Sequence, residues 1–382
     1  MSMNAPTHLR TEYFENPLGL DEPRPRLSWW VNDARRGAKQ SAYQVLVSSS
    51  EDNLAADNGD VWDSGRVETD QSVHVTYDGP AAEAQRRYWW KVRTWDADGQ
   101  ASPWSEPAFW EAGLRDREAW QGEWIGADIV GGPRTTAPSP YLRKDFEAGK
   151  PIRAARLYIT ALGLYEAHVN GRPVTADAFR PGWTDYRKRV QYQSYDVTDL
   201  LRQGDNAIGV ILGDGWYCGH VAWADRQRSG DRPRLLAELR VDYEDGESTL
   251  IATDESWRCS AGPILAGDLL MGEEYDARLE MPGWATADFD DSGWRDVMVF
   301  DDPGIDINAS LSPPVRPVRE LTPIDVRHIG RSRRGATYIF DLGQNMVGVI
   351  RLKVKGPAGR TIQLRYAEML DDHGQLYTAN LR

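Results

Sequence analysis

The chain has 382 residues, of which 41% are hydrophobic, and it carries a formal net charge of −13 with a pI near 5.0. That length suggests two to four domains at roughly 100–200 residues each, with enough apolar residues for packed cores. The acidic balance argues against nucleic acid as a partner, because the phosphate backbone needs a concentrated Lys/Arg surface. No run of about 18 apolar residues occurs, so the sequence predicts no membrane span.

The first residues and the cysteines bear on localisation and on site chemistry. Residues 1–10 (MSMNAPTHLR) have no apolar core of the kind that a signal peptide needs, so with Met1 as the start the protein is expected in the cytoplasm. The two cysteines, Cys218 and Cys259, are expected to be reduced and buried. Because metal-ligand spacings and Gly-rich phosphate loops are absent, the sequence predicts no metal and no cofactor.

Tryptophan is unusually abundant, with 16 residues against 7 phenylalanines. An exposed indole face attracts the slightly positive C–H groups of a pyranose ring, so Trp-rich β proteins are often carbohydrate binders. The alternative, which suits most of these residues, is a place in a domain interface or at the edge of a core.

The first segment, residues 1–112, is predicted to be a small antiparallel sandwich. Apolar and polar residues alternate at 43–48 (YQVLVS) and 88–93 (YWWKVR), and a turn follows at 96–99 (DADG). The order of these stretches, with S-P-W-S after them, resembles a fibronectin type III domain. That fold is usually a spacer or contact module, so the sequence assigns it no chemistry.

The second segment, residues 113–300, is also predicted to consist of strands. Asn170-Gly171 predicts a tight turn, because both residues tolerate positive φ. This number of strands suits a jelly-roll sandwich, and the ending FDDSGW at 289–294 resembles that of galactose-binding-like jelly rolls. The strands are expected at 155–159, 165–169, 191–197, 206–212, 235–243 and 248–253, and short helices at 114–121 and 197–201.

The third segment, residues 301–382, begins with a Pro-rich linker, SPPVRP at 312–317. Strands are expected at 337–342, 348–354 and 360–366. Because the unit is small for an independent sandwich, the sequence predicts an incomplete third β-sandwich and a chain that is cut. The predicted fold class is therefore all-β, with three sandwich units.

Several motifs together resemble the bacterial α-L-rhamnosidase family. Any one of them is weak, but six in the family's order, spread over nearly the whole chain, are specific. They are residues 13–19 with PRLSW at 25–29, PGWTDY at 181–186, LGDGWY at 212–217, GEEYDAR at 272–278, DLGQN at 341–345, and LRYAE at 364–368 with LYTANLR at 376–382.

This resemblance implies a modular glycoside hydrolase in which β domains precede an (α/α)6 barrel. The barrel would hold the acidic residues of an inverting hydrolysis that releases terminal L-rhamnose. The chain ends where the family's barrel would begin, so no catalytic residue is assigned. The implied partners are rhamnose-containing glycosides and a C-terminal catalytic domain of the same polypeptide.

The acidic doublets offer no obvious catalytic pair. Inverting hydrolysis needs two carboxyl groups about 6.5–9.5 Å apart, and adjacent side chains on a strand point to opposite faces. Acids in turns are normally solvated. Residues distant in sequence could still meet, which leaves unaided catalysis open. The doublets are Glu273/Glu274, Asp290/Asp291 and Asp371/Asp372.

Two Gly- or Pro-bounded loops are the candidate carbohydrate contacts, since each combines a carboxylate with two aromatic rings. Their residues are Asp214, Trp216 and Tyr217 in one loop and Trp183, Asp185 and Tyr186 in the other. The alternative is that these aromatic residues pack against the catalytic domain. Some members of the family have a calcium-dependent rhamnose-binding jelly roll, but the cationic run at 187–189 (RKR) disfavours calcium here.

Glu274, Asp276 and Arg278 could form an internal ion-pair cluster, but surface ion pairing is the default expectation. The leading hypothesis is a non-catalytic N-terminal part of an α-L-rhamnosidase that serves domain packing or sugar positioning. The rival is a free-standing lectin-like protein that binds rhamnosides without hydrolysing them. A structural adaptor that docks a partner chain is a third possibility.

Overall fold

The computed structural model describes residues 3–332 and 335–381, and its architecture is all-β, as the alternating sequence predicts. The first unit contains two sheets that face each other across an aromatic core. Trp29, Trp90 and Trp110 are almost completely buried there. Its strands are β1 (Asn4–Thr11), β2 (Arg26–Asn32), β3 (Ala42–Ser48), β4 (Trp62–Asp63), β5 (Val67–Glu68), β6 (Val75–Thr76), β7 (Arg87–Trp95) and β8 (Ala108–Glu111).

Strand order shows how the first unit is assembled. One sheet runs β1-β2-β6, and the other runs β4-β3-β7-β8 with β5 paired to β3. The predicted strands at 43–48 and 88–93 lie within β3 and β7, which pair antiparallel. The predicted turn is present too: the N–H of Gly99 donates to the carbonyl of Asp96 at 3.0 Å, with Gly99 at a φ of 76°.

The second unit is a larger sandwich. A six-stranded sheet runs β13-β12-β15-β10-β18-β21, and a seven-stranded sheet runs β22-β9-β16-β11-β14-β23 with β17 paired to β16. A separate hairpin is formed by β19 and β20. The strands are β9 (Trp124–Gly126), β10 (Pro140–Ala148), β11 (Ile152–Leu162), β12 (Leu164–Val169), β13 (Arg172–Pro173), β14 (Arg189–Asp196), β15 (Gly204–Gly213), β16 (Arg234–Tyr243), β17 (Ser248–Ala252), β18 (Arg258–Ala261), β19 (Ile264–Asp268), β20 (Gly272–Tyr275), β21 (Arg295–Asp296), β22 (Met298–Phe300) and β23 (Asp306–Ala309).

The core of this sandwich comes from the inward residues of its longest strands. Leu157, Val210 and Leu239, for example, are completely buried between the sheets. The predicted Asn170-Gly171 turn joins β12 to β13, and both residues have positive φ, at 50° and 77°. All six strands predicted for this segment are present; most of them are longer than predicted, whereas β17 ends one residue before the predicted end at 253.

The third unit is a hairpin of β24 (Asp325–Ser332) and β25 (Gly335–Asp341). The strand expected at 337–342 overlaps β25. The predictions of strands at 348–354 and 360–366 are wrong, because these residues form no β-sheet hydrogen-bond ladder in the structure. Their apolar residues alternate, but within the described residues neither segment pairs with another strand.

The helices are short, and the two predicted helices correspond only to single turns. The candidates at 114–121 and 197–201 are reduced to 3₁₀ turns at Arg117–Ala119 and Thr198–Leu200, and a third such turn is Ala277–Leu279. The sequence reading missed α1 (Glu51–Ala55) and α2 (Gly215–Cys218). In the described part of the chain no helix is long and apolar enough to cross a membrane.

Charged side chains join the first two units. Glu111, at the end of β8, is buried and accepts hydrogen bonds from Arg87 at 3.0 Å and from Arg156 of β11 at 2.7 Å. Arg240 of β16 donates to the side chain of Gln85 at 2.6 Å. These bonds fix the second sandwich against the first.

Candidate functional site

The two loops predicted to contact sugar lie side by side at one end of the second sandwich. The indole rings of Trp183 and Trp216 are stacked, with centroids 5.7 Å apart and an angle of 3° between the ring planes. Phe179 lies against Trp216 at 6.2 Å. Trp183 is 62% exposed and Phe179 is 42% exposed, so these rings form an aromatic surface, hereafter the Trp183–Trp216 patch.

Glycine at position 215 sets the place of Trp216. Gly215 is separated from the end of β15 only by Asp214, and it begins α2 with a φ of 53°, a region that favours glycine. A Cβ at this position would lie 2.7 Å from Cγ of Leu164, so a larger residue would displace the turn. The loop expected around Trp216 and Tyr217 is therefore one helical turn packed closely on the start of β12.

Tyr186 and Tyr217 lie beneath the patch. Both rings are buried, and they pack edge to face at 5.2 Å. Burial raises the pKa of the Tyr217 hydroxyl, and it is likewise the largest cause of the raised pKa of Tyr186. These two residues, predicted as surface contacts, instead belong to the core that supports the exposed indoles.

The two candidate carboxylates have arginine partners. Asp214 accepts a hydrogen bond from Arg226, whose guanidinium also donates to the carbonyls of Gly132 and Thr135. Asp185 is exposed and accepts from its neighbour Arg187 at 2.9 Å, and this bond lowers the pKa of the Asp185 carboxyl. Asp214 thus fixes a loop, while Asp185 remains at the surface.

A histidine lies close to the same turn. His220 follows α2, and its backbone N–H and Nδ1 both lie within hydrogen-bonding distance of Asp268, at 2.8 and 3.0 Å. Burial tends to raise the pKa of Asp268, but hydrogen bonds from His220, Leu270 and Met271 outweigh it and leave that pKa lowered. The hairpin of β19 and β20 is held by these bonds to the base of the patch.

The Pro-rich linker passes beside the patch and is attached there. Ala178 forms an isolated antiparallel bridge with Val315, and its N–H donates at 2.8 Å to the carbonyl of that residue. The side chain of Asp177 accepts from Arg180 at 2.8 Å and from Arg316. The start of the third segment is therefore anchored next to Phe179.

The acidic doublets serve local structure. Asp291 binds the buried Arg143, and Asp290 accepts from the backbone N–H of Ser292 at 3.0 Å. Asp371 accepts from the backbone of His373 at 2.9 Å within its turn. Glu273 and Glu274 are exposed on β20.

The expected ion pairing near Glu274 involves only two of its three members: Asp276 and Arg278 are bonded at 2.6 Å. Among residues 3–332 and 335–381, no group of three or more His, Cys, Asp or Glu side chains could hold a metal ion. Both cysteines are buried free thiols.

Sequence reasoning missed Phe179 and Arg226. Phe179 directly precedes Arg180-Pro181, and a bulky apolar residue at the mouth of a Pro/Gly-bounded loop is a usable signal. No local signal identified Arg226, because its partner Asp214 and the carbonyl of Thr135 come from separate loops.

Family models match most of the chain. The Rha78A-like N-terminal immunoglobulin domain matches residues 6–116, the α-L-rhamnosidase N-terminal domain matches residues 150–319, and the bacterial α-L-rhamnosidase concanavalin-like domain matches residues 331–382.

Curated proteins named α-L-rhamnosidase are similar over nearly the whole chain. That of Streptomyces avermitilis is 35% identical, and the match covers 100% of this chain and 53% of that protein. That of Alteromonas sp. (strain LOR) is 39% identical, with 99% of this chain and 42% of the relative covered. The chain thus spans about half the length, or less, of these relatives.

Solved structures show the same architecture. The S. avermitilis α-L-rhamnosidase complexed with L-rhamnose superposes with a TM-score of 0.92 and 33% identity, covering 99% of this chain and 52% of that one. The Aspergillus terreus α-L-rhamnosidase gives a TM-score of 0.89 at 34% identity, covering 99% and 42% of the two chains.

Proposed function

Because the chain belongs to the bacterial α-L-rhamnosidase family, we propose that it is the non-catalytic N-terminal part of such an enzyme. Its β units would position a C-terminal domain that hydrolyses L-rhamnosides. The observation that carries this proposal is similarity to known proteins: three family models match successive parts of the chain, and the chain spans 53% of the S. avermitilis relative.

The exposed apolar residues of the third segment support a covering domain. Tyr338 and Phe340 on β25 are each more than half exposed, although Ile339 between them is buried. Val347 and Val349 are almost fully exposed. Exposed apolar surface on this scale usually marks a contact face, and we infer that the catalytic domain of the same polypeptide covers it.

A second role, sugar contact, is supported by the Trp183–Trp216 patch. Its outer indole is exposed, flat and backed by a second indole, which suits stacking on a pyranose ring. We infer that the second unit is a jelly-roll module in which Trp183, Trp216 and Asp185 face the glycoside. In this proposal the other three candidate residues support that surface. Asp214 fixes its loop through the hydrogen bond from Arg226, and the rings of Tyr186 and Tyr217 pack together beneath the patch.

An aryl α-L-rhamnoside assay tests the main proposal. The purified 382-residue chain should show no turnover above buffer, whereas the product of the complete open reading frame should hydrolyse the substrate. Turnover by the 382-residue chain itself would show that the chemistry is not elsewhere. The free-standing lectin alternative predicts instead that the complete reading frame is inactive while rhamnose still binds.

A further inference from the structure

The first unit contains a groove that the proposed function does not use. It has a volume of about 550 Å³ and is lined by the end of β2, by residues 38–40, and by Asp70, Ser72 and Val73. Its lining includes Trp30, Asn32, Lys39, Asp70 and Val73. Small-ligand sites commonly measure about 300–1,000 Å³ and combine aromatic rings with a few polar groups, so the groove has an appropriate size and composition.

The groove exists because the sheet stops short on this side. β6 pairs with β2 only at Arg26 and Leu27, so the later residues of β2 have no neighbouring strand there. The facing segment is held at a fixed distance instead. The N–H of Trp29 donates to the carbonyl of Ser72 at 2.9 Å, and the side chain of Gln40 joins Trp29 Nε1 to the carbonyl of Gln71.

Trp30 supplies a stacking surface. Alternation along β2 buries Trp29 and turns Trp30 outward, where it is 58% exposed. The imidazole of His8 stacks on this indole at 3.8 Å, with 18° between the ring planes. One face of the indole is therefore supported by His8, and the exposed remainder is available to a ligand.

The polar groups around Trp30 suit a ligand that is rich in hydroxyl groups and carries no charge. Asn32 uses its amide nitrogen to bind the carbonyl of Ala5 at 2.7 Å, and within the described residues its Oδ1 has no partner. Lys39 and Asp70 are exposed and pair with each other at 3.0 Å, so their charges cancel at the rim. A charged ligand would have to break this pair.

We propose that this groove is a second saccharide-binding site, which takes pyranose rings of a neutral glycan with Trp30 as the stacking surface and Asn32 as a hydrogen-bond acceptor. It is separate from the Trp183–Trp216 patch, since it lies on the first unit, and it does not depend on where hydrolysis takes place.

The experiment is an NMR titration of the ¹⁵N-labelled 382-residue chain with rutinose, an L-rhamnosyl-glucose disaccharide. The indole Nε1–H signal of Trp30 can be assigned by its loss in Trp30→Ala. Its chemical shift should change as sugar is added and should level off at a sugar concentration of about 50 mM, as expected for a site with a millimolar Kd. Trp30→Ala should weaken binding measured at the neighbouring backbone signals by at least about tenfold, and Asn32→Ala by a few-fold.

The matched control is Trp183→Ala, which removes an equally exposed indole from the other unit. It should leave the Trp30 shift unchanged. A Trp30 signal that does not move at the highest sugar concentration, or Trp30→Ala with wild-type binding, would overturn the proposal. Because Trp30 lies outside the core, unchanged thermal unfolding of the variant will show that lost binding is local. These outcomes do not depend on whether the chain hydrolyses rhamnosides, so this test and the hydrolysis assay can fail independently.

Discussion

The hydroxyl of Tyr192 donates a hydrogen bond of 2.6 Å to the carboxylate of Asp21, although the two residues are 171 positions apart. The same hydroxyl accepts from the N–H of Leu114 at 2.9 Å. The other oxygen of Asp21 accepts from the N–H of Ala309 at 2.5 Å. One carboxylate therefore joins the first unit, the sandwich strand β14, and the strand that precedes the Pro-rich linker.

Tyr192→Phe should destabilise the chain by about 1–3 kcal/mol, because a buried acceptor loses its donor and the ring is otherwise conserved. Urea unfolding followed by fluorescence measures this change. Tyr158→Phe is the matched control, since the hydroxyl of Tyr158 is buried and has no hydrogen-bond partner among the residues that the structure describes. That substitution should be neutral or stabilising. Equal losses in the two variants would contradict the role given to the Tyr192 hydroxyl.

The charge on Asp21 makes a pH-dependent contribution. Burial raises the pKa of Asp21 above its ordinary value of 3.8, more than its hydrogen bonds lower it. The folded state therefore holds this proton more tightly than the unfolded chain, and the stabilisation is complete below the unfolded pKa and is lost as pH rises through the folded pKa. Relative to Asp21→Asn, wild type should lose unfolding free energy as pH rises from below 3.8. A difference that stays constant or grows in favour of wild type would contradict this sign.

Arg143 is a fully buried cation whose loss should be severe. Its guanidinium binds Asp145 and Asp291 and donates to the carbonyls of Trp284 and Thr286, at 3.0 and 2.9 Å. Arg143→Ala removes the buried positive charge that all four groups share, leaves two carboxylates without their counter-ion, and should cost about 3–5 kcal/mol.

Chemical denaturation measures the Arg143→Ala loss against Arg134→Ala. The Arg134 side chain is 83% exposed and pairs with Asp225 at 3.2 Å, so its loss should cost about 0–1 kcal/mol. Similar costs for the two variants would mean that the buried cluster contributes no more than a surface pair.

Gly215→Ala tests how the candidate site is positioned. The new methyl group would lie 2.7 Å from Leu164, and alanine would have to adopt a φ of 53°. We therefore expect the free energy of unfolding to fall by about 1–3 kcal/mol. Gly246→Ala is the control for backbone strain alone, since Gly246 has a φ of 88° and, in the described part of the chain, no residue beyond its two chain neighbours comes within 4 Å of the added Cβ. If thermal unfolding shows equal losses, the close approach to Leu164 adds nothing.

The strands were predictable because alternation reports directly which face of a sheet is buried. The same alternation is present at β2, which was not among the predicted strands: Trp29 is buried there and Trp30 is exposed. The same logic failed at 348–354 and 360–366. An alternating segment becomes a β-strand only when a second strand pairs with it. A local sequence pattern does not show whether that second strand is present.

The site was predictable in composition but not in arrangement. The motifs indicated two aromatic loops, and the structure brings Trp183 and Trp216 together. The burial of Tyr186 and Tyr217 could not be read from the sequence, since it depends on how the turn at Gly215 packs against β12. The ion pair of Asp214 with Arg226 joins separate loops and has no sequence signature.

Trp183→Ala should separate the sugar-contact role of the patch from a structural one. Trp183 is largely exposed, and an aromatic stack contributes about 0.5–1.5 kcal/mol, so the free energy of unfolding should change by no more than about 1.5 kcal/mol. Near-UV circular dichroism should lose the signal of the coupled indoles. Calorimetry should show L-rhamnose affinity falling at least about tenfold, which corresponds to 1.4 kcal/mol of binding energy. Tyr13→Ala, which removes an exposed ring from the first unit, should leave that affinity unchanged. Wild-type affinity in Trp183→Ala, with the dichroism signal lost, would assign the patch to domain packing instead.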